Sequence, residues 1–217
     1  AFCAHKNRVM QKLKKRFCLL LIILSFSSLC FTQNSVVDSL KNEVLEARID
    51  TSRINVLIKL LYEFYYQNEY DSVIHYSGRT LNLSKEKKYY TGIVESLYLL
   101  GNSYHKKSFY ELSLTYYEDA LGLAEEADDK SMKIRLLNSM AIVYDEKADY
   151  GESLKYFVKA LEINEEIGDD YSTIMLLNNI GSSYIAMEEF TLAAEYLNRC
   201  LEISKELEYT PGITIYY

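Results

Sequence analysis

The chain of 217 residues is 49% hydrophobic and 25% charged, enough apolar material for a sizeable core, and its 8 Gly and single Pro are too few for a turn-rich all-β fold. Its formal net charge is −7, and the six Lys/Arg with no acid in residues 1–32 leave the rest of the chain more acidic still. An acidic body excludes general nucleic-acid binding, which relies on Lys and Arg to neutralise phosphates.

Residues 1–9 ("AFCAHKNRV") precede Met10 and read as upstream read-through. Lys12, Lys14, Lys15 and Arg16 then lead into the apolar run 18–31. A basic flank followed by a short apolar stretch is the layout of a secretory signal peptide. At about 15 residues the run is shorter than the ~20 that a membrane-spanning helix needs. The expectation is a signal peptide over 10–32, cut before Gln33, and export to the periplasmic or extracytoplasmic side of a membrane; an uncleaved anchor or a buried helix is the alternative. Cys3, Cys18 and Cys30 precede that cut, which leaves Cys200 alone and no intrachain disulfide framework. Residues 33–50 form a leader in which Val37, Leu40, Val44 and Leu45 have the spacing of a capping helix.

From residue 51 the chain repeats itself. "GNSYHKKSFYELSLTYYEDAL" (101–121), "AIVYDEKADYGESLKYFVKAL" (141–161) and "GSSYIAMEEFTLAAEYLNRCL" (181–201) follow one another at a constant 40-residue period, and "LYEFYYQNEYDSVIHYSGRTL" (61–81) extends the period backwards. The units are 51–90, 91–130, 131–170 and 171–210, with a fifth beginning at 211–217. Phe64, Tyr104, Tyr144 and Tyr184 form an aromatic column, and Tyr76, Tyr116, Tyr156 and Tyr196 another. Small residues recur at Gly101, Ala141 and Gly181 and at Ala120, Ala160 and Cys200. Large rings facing small residues at fixed offsets is how two helices interlock at close range. Leu97, Leu100 and Tyr104 follow the i, i+3, i+7 spacing of a helix, as do Leu137, Met140 and Tyr144. Each unit is therefore a helix–turn–helix hairpin with helices of about 15 residues, and the array is an all-α solenoid in which each hairpin buries its apolar face on its neighbours.

The order Leu100-Gly101, Tyr104, Ser113, Tyr117, Ala120 and its copy Ala141, Tyr144, Ser153, Phe157, Ala160 resemble the tetratricopeptide repeat signature. The resemblance covers residues 51–217 and implies a right-handed superhelix that binds peptides or partner helices along a concave groove lined by the first helix of each hairpin. The unit is longer than the family's usual one of about 34 residues, and the usual Pro near its end is absent. Forty-residue units of this kind are similar to those of kinesin light chains and of bacterial signalling proteins.

The columns expected to face the groove read Asn55, Glu95, Arg135, Met175; Ile58, Tyr98, Asn138, Asn178; and Tyr62, Asn102, Ile142, Ser182. Asn can donate to and accept from a peptide backbone at once, and Tyr adds adaptable contact area. The candidate ligand residues are thus Asn55, Tyr62, Glu95, Tyr98, Asn102, Arg135, Asn138, Asn178 and Ser182. The Lys/Asn cluster with which some tetratricopeptide proteins clamp a C-terminal carboxylate is not matched.

No catalytic, cofactor or metal constellation stands out. Eleven of the 21 tyrosines fall in repeat columns and read as packing. His75 and His105 lack a second His or Cys at ligand spacing. Asp128-Asp129 and Asp169-Asp170 read as turn and cap residues, and no phosphate loop or Ser/His/Asp order is present. The expected partner is a protein or peptide, with membrane contact only through the signal peptide or a downstream span. A signal peptide followed by 40-residue units resembles the extracytoplasmic sensory half of bacterial sensor histidine kinases, which makes the chain an N-terminal fragment of a longer signalling protein. A freestanding exported scaffold for envelope assembly, or the repeat region of a regulator with a DNA-binding output, are the alternatives.

Overall fold

The computed structural model describes residues 36–47 and 50–207, and nine α-helices lie among them. α1 spans residues 36–46. It is followed by α2 (Thr51–Tyr66), α3 (Tyr70–Glu86), α4 (Tyr90–Lys106), α5 (Tyr110–Glu126), α6 (Lys130–Glu146), α7 (Tyr150–Ile167), α8 (Asp170–Ala186) and α9 (Phe190–Glu206). The signal-peptide segment 10–32, the read-through 1–9, Cys3, Cys18, Cys30 and the stretch 211–217 lie outside the described residues.

From α3 onward the helices begin at Tyr70, Tyr90, Tyr110, Lys130, Tyr150, Asp170 and Phe190, so each 40-residue period is two equal steps. The helices are 16–18 residues long, somewhat longer than the spacing of aromatic columns alone implies, because the turns take only two or three residues. Turn chemistry sets that economy. Asn68, Lys88, Ser108, Asp128, Ala148 and Glu188 each adopt the left-handed conformation, and Gly168 does so after α7. In all but the Gly168 turn the next amide donates back to the helix five residues earlier, as in Glu69 N to Phe64 O and Phe109 N to Tyr104 O, both 2.9 Å. That is the Schellman closure of a helix C-terminus. Asp50, Asp129, Asp149 and Asp169 cap the N-termini that follow, each carboxylate accepting from an amide of the first turn.

The even-numbered helices from α2 to α8 form one layer and the odd-numbered helices α3 to α9 the other, the two-layer stack of an all-α solenoid. The interlock follows the columns. Phe64/Tyr76, Tyr104/Tyr116, Tyr144/Tyr156 and Tyr184/Tyr196 pair across each hairpin at 5.3–5.5 Å between ring centroids. Ala120, Ala160 and Cys200 are fully buried, as is Ala141. At Gly101 the helices come so close that a Cβ would fall 2.6 Å from Tyr117 Cδ1, and the Ser113 hydroxyl donates to the Gly101 carbonyl at 2.8 Å. Gly181 faces Leu197 in the same way.

α1 covers the first hairpin through Val37, which packs with Leu60, Leu61, Phe64 and Val73 while Leu40 and Val44 lie at the edge of that cluster. Leu45, expected on the covering face, is 76% exposed. Leu45 follows Val44 by one residue, about 100° round the helix, which turns it away from the face that Val37, Leu40 and Val44 lay on the hairpin.

Candidate functional site

An open cleft of about 350 Å³ lies across the even-numbered layer. Tyr62, Tyr65 and Tyr66 come from α2, Tyr98, Asn102, His105 and Lys106 from α4, and Arg135, Asn138, Ser139 and Ile142 from α6, with Tyr117 of α5 behind them. The three helices present these side chains together because equivalent positions recur at the 40-residue step and residues three and four apart share a helix face.

Arg135 is the centre of the arrangement. Its guanidinium donates to Glu95 Oε1 at 2.8 Å and Oε2 at 3.3 Å, donates to the Tyr62 hydroxyl at 2.5 Å, and lies 4.3 Å from the centroid of the Tyr98 ring. The Tyr62 hydroxyl donates in turn to Glu95 Oε2 at 2.6 Å. Three successive hairpins are thus tied by one charge-assisted network. Burial works against the charged form of Arg135, and the Glu95 hydrogen bond and charge outweigh it, so the guanidinium is held charged. Burial lifts the Tyr62 phenol well above its ordinary range; the Arg135 charge opposes the shift and the hydrogen bond to Glu95 adds to it. Tyr65 is pushed up to about 12 by burial and by neighbouring tyrosines.

The amides beside this network have one side occupied. Asn102 Oδ1 accepts from the buried Tyr117 hydroxyl at 2.6 Å, and Asn138 Oδ1 accepts from Asn179 Nδ2 at 3.0 Å. Each of these two oxygens has one bond inside the fold, and the amide N–H groups of Asn102 and Asn138 are the atoms the pair offers most openly to a ligand. His105 is 7% exposed, and its Nε2 sits 2.9 Å from Glu146 Oε2 without forming a hydrogen bond. Among the described residues the cleft lining contains the cations Arg135 and Lys106 and no carboxylate.

Of the residues named from sequence, Tyr62, Tyr98, Asn102, Arg135 and Asn138 line this cleft, and Glu95 backs it. Asn55 does not join them: it is exposed at the start of α2, where its Oδ1 accepts from the Tyr89 hydroxyl at 2.9 Å. Asn178 and Ser182 lie one hairpin further on. The Ser182 hydroxyl donates to the Asn178 carbonyl at 2.9 Å, and Asn178 Oδ1 is buried without a partner. Met175 lines a smaller cleft of about 220 Å³ on the other side of Arg135, with Ile134, Asn164 and Ser172.

Tyr65, Tyr66, His105, Lys106 and Ser139 were not among the residues named. The signal for the first four was available, because they follow Tyr62 and Asn102 by one helical turn on the same face. The same signal was available for Ser139, which follows Arg135 by four residues on α6. Among the described residues no group of three or more His, Cys, Asp or Glu is arranged to hold a metal ion, and no helix is long and apolar enough to cross a membrane.

A tetratricopeptide repeat model matches residues 92–166 and 134–206, together more than half of the chain. No curated protein matches. Among solved structures, the chain is similar to the apo form of RapI (18% identity, TM-score 0.71, 80% of this chain and 64% of that one). It is similar also to aspartyl phosphate phosphatase F from Bacillus subtilis (15% identity, TM-score 0.77, 84% and 51%) and to a Rap protein complexed with Competence and Sporulation Factor (20% identity, TM-score 0.75, 85% and 53%). The chain spans between half and two thirds of the length of these proteins. The repeat match falls on the same hairpins whose aromatic and small-residue columns interlock, and the chain belongs to the tetratricopeptide repeat family.

Proposed function

We infer that the chain is a binding scaffold for a protein or peptide, and that an extended segment of the partner lies in the cleft formed by α2, α4 and α6. One observation carries the reading: residues from three consecutive hairpins converge on an open cleft whose amides keep their N–H groups while their oxygens are bonded internally. An extended peptide offers a row of carbonyl acceptors, which is the complement of such a surface. Tyrosine rings along the floor give contact area at low entropic cost. A structural neighbour crystallised with Competence and Sporulation Factor supports the use of this fold for ligand capture.

The test uses peptides selected from a random displayed library against the chain. Tyr66→Ala with Lys106→Ala removes two side chains that line the cleft and are exposed. The double variant is expected to bind the selected peptides at least about tenfold more weakly at an unchanged melting temperature. Peptides that bind the variant as well as the parent chain would place recognition elsewhere.

The basic segment and apolar run of residues 12–31 support a finer reading, in which this scaffold is the extracytoplasmic input region of a longer bacterial signalling protein of the sensor histidine kinase type. In that reading a catalytic activity of the whole protein belongs to a domain other than these repeats. A freestanding exported scaffold, or a regulator with a DNA-binding output, shares the same repeats. Fusing alkaline phosphatase after residue 50 separates these readings from a cytoplasmic one: phosphatase activity in intact cells supports export, and its absence overturns it. A histidine-kinase core encoded downstream would favour the sensor over the freestanding scaffold.

A further inference from the structure

We propose that the N-terminal end of the solenoid holds a second site, an apolar slot with a cationic rim that takes an amphipathic carboxylate, an acyl chain with an anionic head. The slot of about 510 Å³ lies between α1, α2 and α3 and shares no lining residue with the cleft. Its apolar lining is Val44, Leu45, Leu57, Leu60 and Leu83, with the ring of Tyr76. Its size falls within the range of ligand pockets for small molecules.

Among the described residues the rim holds three cations, Lys41, Arg53 and Arg79, and no carboxylate, in a chain whose net charge is −7. Lys41 has a distant acidic neighbour, Asp38 at 3.8 Å. Among the described residues Arg53 reaches only a backbone carbonyl, donating to Leu45 O at 3.3 Å, and its Nε is buried with no hydrogen-bond partner. A buried donor on a charged group left without an acceptor costs stability, so the site is incomplete until something supplies one.

Arg79 shows how the vacancy arises from the repeat. In α7 and α9 the equivalent cations each pair with a glutamate of the preceding odd-numbered helix, Lys159 with Glu125 and Arg199 with Glu165. The same sequence offset takes Arg79 back to Leu45 of α1, which is 76% exposed and apolar. The covering helix thus replaces the carboxylate of the ladder with an aliphatic side chain. It leaves a cation beside an apolar slot, and an acyl carboxylate supplies both of the missing contacts.

The test titrates the full chain with cis-parinaric acid, a fluorescent long-chain carboxylate, and with its methyl ester. Saturable fluorescence with the acid is expected, and the ester should bind at least about tenfold more weakly, the worth of a charge-assisted hydrogen bond. Arg79→Gln, at an exposed position, should weaken the acid and leave the ester unchanged, and Arg53→Gln/Arg79→Gln should bring acid and ester to parity. Tyr66→Ala/Lys106→Ala should leave acid binding unchanged, which keeps this result separate from that of the cleft. Equal binding of acid and ester to the parent chain, indifference to both arginine variants, or no saturable binding would each overturn the proposal.

Discussion

Gly101→Ala and Gly122→Ala are the same substitution in the interiors of adjacent helices, and the structure gives them opposite signs. In an exposed helix Ala is favoured over Gly by about 1 kcal/mol. At Gly122 a Cβ would meet nothing within 4 Å, so that gain should appear in full. At Gly101 the Cβ would lie 2.6 Å from Tyr117 Cδ1 and 3.1 Å from Cζ. Tyr117 cannot swing aside: it is fully buried and its hydroxyl is held by Asn102 at 2.6 Å. Overpacking of a rigid ring costs about 1–3 kcal/mol, and breaking the Tyr117–Asn102 bond adds about 1 kcal/mol. Against the propensity gain, the net for Gly101→Ala is a loss of about 1–3 kcal/mol. In a domain of this size each kcal/mol moves the melting temperature by about 2–4 °C. Calorimetry should therefore show Gly122→Ala melting a few degrees above the parent and Gly101→Ala several degrees below it. If Gly101→Ala melts with Gly122→Ala, above the parent, close helix approach is not what the glycine serves and the interlock is wrongly placed.

Arg135→Ala strips the charge partner from Glu95, whose side chain is 14% exposed, and removes the guanidinium from the Tyr98 ring. A loss of about 2–3 kcal/mol is expected by urea unfolding, and a loss below about 0.5 kcal/mol would show the network to be as weak as an ordinary surface pair. The tyrosines make the fold sensitive to base. Burial raises the pKa of Tyr62, Tyr65, Tyr90 and Tyr117, so the folded chain holds protons that the unfolded chain releases from about pH 10 upward. Stability is thus fully present below that pH and falls as pH rises through and beyond it, by up to about 1.4 kcal/mol per pH unit for Tyr117 alone. Melting curves between pH 8 and 11 should be flat at first and then drop; a drop that begins near pH 8 would point to another group.

Most of the fold was legible because a repeat states its packing several times. Tyr104 with Tyr116 and Gly101 with Tyr117 occupy columns whose spacing leaves one way for the two helices of a hairpin to interlock. The candidate site was legible in part. Tyr62, Tyr98, Asn102, Arg135 and Asn138 follow from the period, whereas Asn55 and Ser182 satisfy it and stand outside the cleft. Equal spacing puts these residues on one face and does not say how far along that face the cleft of α2, α4 and α6 extends. Leu45 fits the helical spacing at the edge of the α1 face, and spacing does not say that the covering contact stops at Val44.

The sequence by itself determined the all-α hairpin, its 40-residue period and its core columns, since those depend on side-chain size and helical periodicity, which are local. The tertiary structure alone decided which polar atoms remain for a ligand. Arg135 meets Tyr62 across 73 positions of sequence, and Tyr117 and Asn179 take the amide oxygens of Asn102 and Asn138. Whether a donor or acceptor stays free depends on which partner fills its geometry first, and that is settled only when distant helices are brought together.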